Sequence, residues 1–194
     1  MSTVQPIREK QKIDQMKANL KAQSLRNHLL FVFGINVGLR ISDILEFRIK
    51  DVTNKQGRVL DSIEIYEKKT KKHKRFMINK NAKQAIQEYL RSLESYSGED
   101  YLFKSRQKNR KGEHKAMTRF MAYKLLSEAA EKAGIEDSIG THTLRKTFGY
   151  HAYKNGTDLS LLQYVFNHAS PQVTLKYIGI TQDNIDAVYI NNNL

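Results

Sequence analysis

Cysteine is absent from the 194 residues. That excludes disulfides, thiol nucleophiles and cysteine-ligated zinc, and it suits a reducing, cytoplasmic setting. Only two prolines occur, Pro6 and Pro171, and no Gly/Ser-rich linker interrupts the chain. The length therefore predicts one domain. The longest apolar stretch, Leu29 to Leu39, is broken by Asn36 and is too short to span a bilayer. The opening residues, MSTVQPIREKQK, lack the apolar segment of a secretory signal. The six histidines show no HExxH spacing. Paired carboxylates at glycosidase spacing, a Gly-rich phosphate loop and a GxSxG turn are also missing, so most hydrolase and nucleotide-binding readings lose their support.

Positive charge is what the chain has in excess. Lys and Arg number 33 against 20 Asp and Glu, a formal net charge of +13. Such a balance makes a polyanion the expected partner, nucleic acid before an anionic membrane surface. The last fourteen residues, TQDNIDAVYINNNL, carry no Lys or Arg. They read as an appended tail, so the expected division is a domain over 1–180 and a tail over 181–194.

Periodicity predicts a mostly α fold with one small antiparallel β-sheet (α+β). Ile13, Met16 and Leu20 stripe a first helix, with Pro6 in its first turn. A second helix follows Ser24 and ends at Gly38, and Ser42 is placed to cap a short third one. Asp61 to Tyr66 alternates polar and apolar, and Arg75 to Ile78 is a second β-like run. Between them, Lys68 to Lys74 forms a basic hairpin tip. Ala82, Ala85, Ile86, Tyr89, Leu90, Leu93 and Tyr96 share one helical face, and Tyr123 lies beside the apolar stripe of a further helix. Lys104 to Lys115, with six basic residues and Gly112, reads as a loop. Helices are expected from Thr143 to Lys154, from Asp158 to Phe166 behind a Thr157 cap, and from Pro171 behind a Ser170 cap. Asn167 suits a left-handed helix end.

Four segments could carry chemistry. In Gly140-Thr141-His142-Thr143-Leu144-Arg145, a helix would bring His142 and Arg145, three apart, to one face. A titratable imidazole beside a permanent guanidinium suits a phosphodiester, although the pair alone commonly forms a solvated face. His168 sits on a corner between two helices, where a lone histidine more often bonds a helix-end carbonyl. Tyr177 is nine residues further, about two turns into the last helix, and periodicity does not separate it from the other tyrosines. Arg40 lies at a turn with Asp43 three residues on, where a surface Arg–Asp pair is the plain alternative.

Taken together, GLRISDIL (38–45), EKKTKKHKRFMI (67–78), GTHTLRKTFGYH (140–151) and FNHASPQVTLKYI (166–178) resemble the catalytic domain of the tyrosine recombinase (phage integrase) family. The span from Arg40 to Tyr177 covers 138 of the 194 residues. The resemblance implies a DNA integrase, of a phage or mobile element, that cuts and rejoins strands through a 3′-phosphotyrosyl intermediate at Tyr177. Arg40, Lys69, His142, Arg145 and His168 would be its other catalytic residues, with Asp43 in support. Lys71 is the second choice for the hairpin lysine. Where the family usually has Gly before the second histidine, this chain has Asn167.

Lys68, Lys71, Lys72, Lys74, Arg75, Arg106, Arg110 and Lys111 would contact double-stranded DNA. No metal and no cofactor is implied. The implied assembly is a homotetramer on DNA, monomeric in solution, with no membrane association and a cytoplasmic, nucleoid-associated place of action. Ile185, Val188 and Ile190 in the tail would pass to a neighbouring protomer, the plain alternative being a tail packed on its own domain or disordered. Many family members also carry an N-terminal core-binding domain that completes a clamp around DNA, and these residues leave no room for one. Two other functions fit the same signals: a non-catalytic DNA-binding regulator with this fold, and type IB topoisomerase-like relaxation.

Overall fold

Helix α2 (Leu25–Val37) is apolar on every side: Leu29, Leu30, Phe31, Val32 and Phe33 are all buried. A helix of that kind must be surrounded, and α1 (Lys10–Gln23), α5 (Lys80–Arg91) and α7 (Thr143–Lys154) pack around it. The computed structural model describes residues 4–66, 73–108, 112, 114–180, 186 and 189–192. Among these, α3 (Ile41–Ile44) and α4 (Ile49–Val52) follow α2 as single turns. Helix α6 (Arg119–Lys132) lies against α1. Helices α8 (Leu159–Phe166) and α9 (Pro171–Ile178) pack against α7, and residues 186 and 189–191 beyond them are helical.

Two antiparallel hairpins complete the described fold. Strand β1 (Ser62–Tyr66) pairs with β2 (His73–Met77), from Ser62 opposite Met77 to Tyr66 opposite His73. Ile63 and Phe76 share one face, and Phe76 meets the Phe47 ring edge-on at 6.4 Å. The basic tip of this hairpin, residues 67–72, lies outside the described residues.

The second hairpin corrects the loop expected over Lys104 to Lys115. Strands β3 (Lys104–Lys108) and β4 (His114–Ala116) pair there, so the described chain holds two small sheets, not one. The sequence KSRQKNRKGEHK has no apolar alternation to betray a strand. Its pairing is imposed from the base, where Leu102, Phe103 and Met117 are buried and Met117 N–H donates to Phe103 O at 2.8 Å.

Several local expectations also shift. Helix α1 starts at Lys10, so Pro6 precedes it in an extended strap. Arg40, not Ser42, is the N-cap of α3. Asp158 replaces Thr157 as the cap of α8, its carboxylate accepting from Ser160 N–H at 2.8 Å. Tyr89 is buried as expected, but Tyr96 and Tyr123 are exposed.

Helix α7 is wedged between two close neighbours. A Cβ on Gly34 of α2 would lie 2.5 Å from Leu144, and a Cβ on Gly149 would lie 2.6 Å from both Phe166 and Ile178. The strap over residues 4–9 lies along α7. Lys146 Nζ donates to Val4 O at 2.7 Å, Ile7 N–H to Thr147 Oγ1 at 2.9 Å, and Arg8 Nη2 to Gly179 O at 3.2 Å. Gly149→Ala should therefore push α8 and α9 away from α7. Overpacking of this kind costs about 1–3 kcal/mol, and the loss should appear as a lower denaturant midpoint at unchanged slope.

Candidate active site

Each end of the site is made by a helix terminus. Helix α2 stops at Gly38, which is left-handed at φ 63°, and a side chain there would collide with the Phe148 ring. The chain then turns through extended Arg40 into α3, where Asp43 is buried. Helix α8 stops in the same manner at Asn167, with φ 53° and ψ 50°. Asn tolerates this conformation better than other non-glycine residues. His168 follows at once, its N–H donating to Gln163 O at 3.1 Å while Gln163 Nε2 donates back to His168 O at 3.2 Å.

Arg145 joins the two ends. It is 2% exposed; Nη1 donates to Gly38 O and Nη2 to Phe166 O, both at 2.9 Å. Its guanidinium carbon lies 4.7 Å from the Phe166 ring centroid. The carbonyl ends of α2 and α8, negative by the helix dipole, receive a cation that cannot lose its proton.

His142 is the N-cap of α7 and is exposed, whereas Arg145 is buried one turn in. The shared helical face expected for the pair is thus replaced by an N-cap and an inward first-turn residue that reach the same place.

Tyr177 stands where these groups meet. Ser170 caps α9, accepting from Val173 N–H at 3.3 Å, and the helix carries Tyr177 in its last turn. The phenol oxygen is 3.3 Å from His142 Nδ1. Its ring centroid is 4.8 Å from that of His168 and 5.5 Å from that of Phe166, both edge-on. Lys146 Nζ lies 5.3 Å from the Tyr177 ring centroid.

These neighbours set the protonation states. Burial raises the Tyr177 phenol above its ordinary range, partly offset by the charges of Arg145 and Arg40 and the hydrogen bond to Arg145. Loss of water also lowers His168, and Arg145 and Arg40 lower it further. His142 is lowered in the same way, first by desolvation and then by Arg119, Lys146, Arg145 and Arg40. These shifts favour a protonated phenol beside neutral imidazoles at neutral pH.

The structure brings Arg40, His142, Arg145, His168 and Tyr177 together. Lys69 lies outside the described residues, as do Lys68, Lys71, Lys72, Arg110 and Lys111. Lys74 is half-buried and donates to Val165 O of α8 at 2.6 Å, which ties the hairpin's foot to the corner carrying His168. His73, Lys74 and Arg75 line a groove of about 710 Å³ with Gln163, Asn167 and His168. Arg106 lies on β3 in a separate groove beside α6.

Lys146 and Arg119 are additions the sequence did not single out. No spacing distinguishes either from a solvated lysine or arginine.

A pH dependence follows from the two lowered histidines. Below about pH 6.5, the ordinary histidine value, the unfolded chain takes up protons on these rings before the folded site does. Stability should then fall as pH drops through the window between 6.5 and the folded values. NMR titration should show His142 and His168 changing charge below the ordinary histidine range.

The model described as the phage integrase family matches residues 7–183. The chain is 45% identical over 189 residues to YoeC of Bacillus subtilis (strain 168), named a probable integrase/recombinase, and covers 97% of both proteins. It is 27% identical over 180 residues to tyrosine recombinase XerD of Oceanobacillus iheyensis, covering 90% of this chain and 57% of XerD. Among solved structures, XerA recombinase matches with a TM-score of 0.74 at 19% identity, over 100% of this chain and 66% of that one. XerH, solved bound to palindromic difH substrate in a post-cleavage complex, matches with a TM-score of 0.67 at 24% identity, over 91% of this chain and 50% of that one. The chain thus spans nearly all of YoeC but only about half of XerD and XerH. Family match and relatives agree with the geometry: the chain belongs to the phage integrase family, and its fold is that of a tyrosine recombinase catalytic domain.

Proposed function

We propose that this protein is a site-specific DNA recombinase whose nucleophile is Tyr177. One observation carries the reading. A phenol stands at hydrogen-bond reach of one neutral histidine, edge-on to a second, under the charges of two arginines.

Tyr177 Oη attacks the scissile phosphorus, an Oη–P bond forms, and the P–O5′ bond breaks. The phenol proton passes to His142 Nδ1, and the leaving 5′ oxygen takes a proton from the hairpin lysine, assigned to Lys69. Arg40, Arg145 and His168 stabilise the charge that develops on the phosphoryl oxygens, and Asp43 supports Arg40. The covalent phosphotyrosine keeps the bond energy for rejoining, so neither ATP nor metal enters the scheme.

Duplex DNA reaches the site along the groove between β2 and the α8–α9 corner, where Lys74 and Arg75 meet its backbone. Lys68, Lys71, Lys72, Arg106, Arg110 and Lys111 are assigned to further contact with the DNA backbone. Recombination of two sites needs four protomers, and the tail over 181–194 is assigned to the contact between them.

The reading is tested with a pool of nicked duplexes of randomised sequence, in which a cut strand diffuses away and traps the intermediate. Wild type should yield an adduct that survives denaturation. Tyr177→Phe should yield none while still binding duplex DNA. Absence of adduct across the pool, or its retention by Tyr177→Phe, would contradict the assignment.

A further inference from the structure

The His168 ring is held by a residue outside the set already named. Thr174 lies on α9 between Ser170 and Tyr177 and is completely buried. Its Oγ1 is 3.1 Å from His168 Nδ1 and 3.3 Å from Ser170 O. A carbonyl can only accept, so a hydroxyl that makes both contacts gives its one proton to Ser170 O, which also accepts from Thr174 N–H at 3.2 Å. Its lone pairs are then left for His168, with Nδ1 as the donor.

We propose that Thr174 is a positioning residue that holds His168 as its Nδ1–H tautomer and so reserves Nε2 for proton exchange with the phosphoryl group. This rests on the catalytic reading of His168 given above.

Among the described residues, Nδ1 has no better acceptor. Arg145 from α7 and Arg40 from the α2–α3 turn act on His168 as cations. Tyr177 of α9 and Phe166 of α8 meet it with their rings, and His73, Lys74 and Arg75 of β2 line the same groove.

In the free site, the two arginine charges and burial favour the neutral ring, with its lone pair on Nε2. An arriving phosphodiester offsets those charges, and the ring takes its second proton from water, at Nε2. The imidazolium then donates to a phosphoryl oxygen while Nδ1–H stays on Thr174. Because Thr174 and Tyr177 share α9, the same short helix sets both the nucleophile and the orientation of its neighbouring acid.

Histidine tautomers leave a direct signature in ¹⁵N NMR of the full chain, with His168→Gln identifying the signals. Above its titration, wild-type His168 should show a protonated Nδ1 and an unprotonated Nε2. Thr174→Val removes the acceptor at constant shape. On a duplex recovered from the randomised pool, its rate of adduct formation should fall about tenfold, the scale of one lost orienting hydrogen bond. Its affinity for that duplex should be unchanged. The limb of its pH profile that reports His168 should move to lower pH, since the charged ring loses a partner. Thr174→Ser should restore the wild-type rate and profile.

An Nε2–H tautomer in wild type, or equal rates for the Val and Ser variants, would overturn the proposal. Should Thr174→Val fail to fold, the tautomer in wild type and in Thr174→Ser decides the matter alone. Should wild type form no adduct on any duplex, the recombinase reading fails, while the NMR result still decides the role of Thr174.

Discussion

The buried guanidinium of Arg145 is the constraint on which the rest of the site depends. Burying a charge is costly unless it is met by hydrogen bonds. Here two helix-end carbonyls, Gly38 O and Phe166 O, meet it at 2.9 Å each. Removing the guanidinium would leave both carbonyls without this donor in a dry interior, which couples the local chemistry to folding. The two carbonyls close the helices that lead directly into Arg40 and His168. A single side chain therefore brings Arg40 and His168, far apart in the chain, to one place. Gly34 and Gly149 let α7 approach α2, α8 and α9 closely enough for this to happen.

The same cations that organise the site also set it for an anion. Arg40 and Arg145 both push His168 towards its neutral form and both draw the Tyr177 phenol down, against the larger effect of burial. An anionic phosphate at this point would relieve the mutual repulsion of the arginines. It would also make protonation of the histidines easier and would place the phosphorus near the phenol. The strap over residues 4–9 extends the arrangement outward. Lys146 spends one hydrogen bond on Val4 O while its ammonium faces the Tyr177 ring, and Arg8 holds the carbonyl that ends α9.

Much of this was legible in the sequence, because the signals were local. Gly38 and Asn167 end their helices in left-handed conformations, as their residue types suggest, and Ser170-Pro171 starts α9 with the hydroxyl acting as cap. The limits of α7, Thr143–Lys154, also agree with periodicity. What escaped was tertiary. Strands β3 and β4 have no apolar alternation, and only the buried residues at their base pair them. Lys146 reads as surface because lysine usually is, yet the strap covers it. Thr174 carries no spacing signal at all. Its part is visible only once His168 and Ser170 O are placed on either side of its hydroxyl.

The central claim is that this one tyrosine, among ten in the chain, becomes covalently linked to DNA. Digesting the trapped adduct with nuclease and protease and sequencing the modified peptide by tandem mass spectrometry tests it most directly. The account predicts a residual nucleotide on Tyr177 and on no other tyrosine. A nucleotide mapped to a different residue would contradict it.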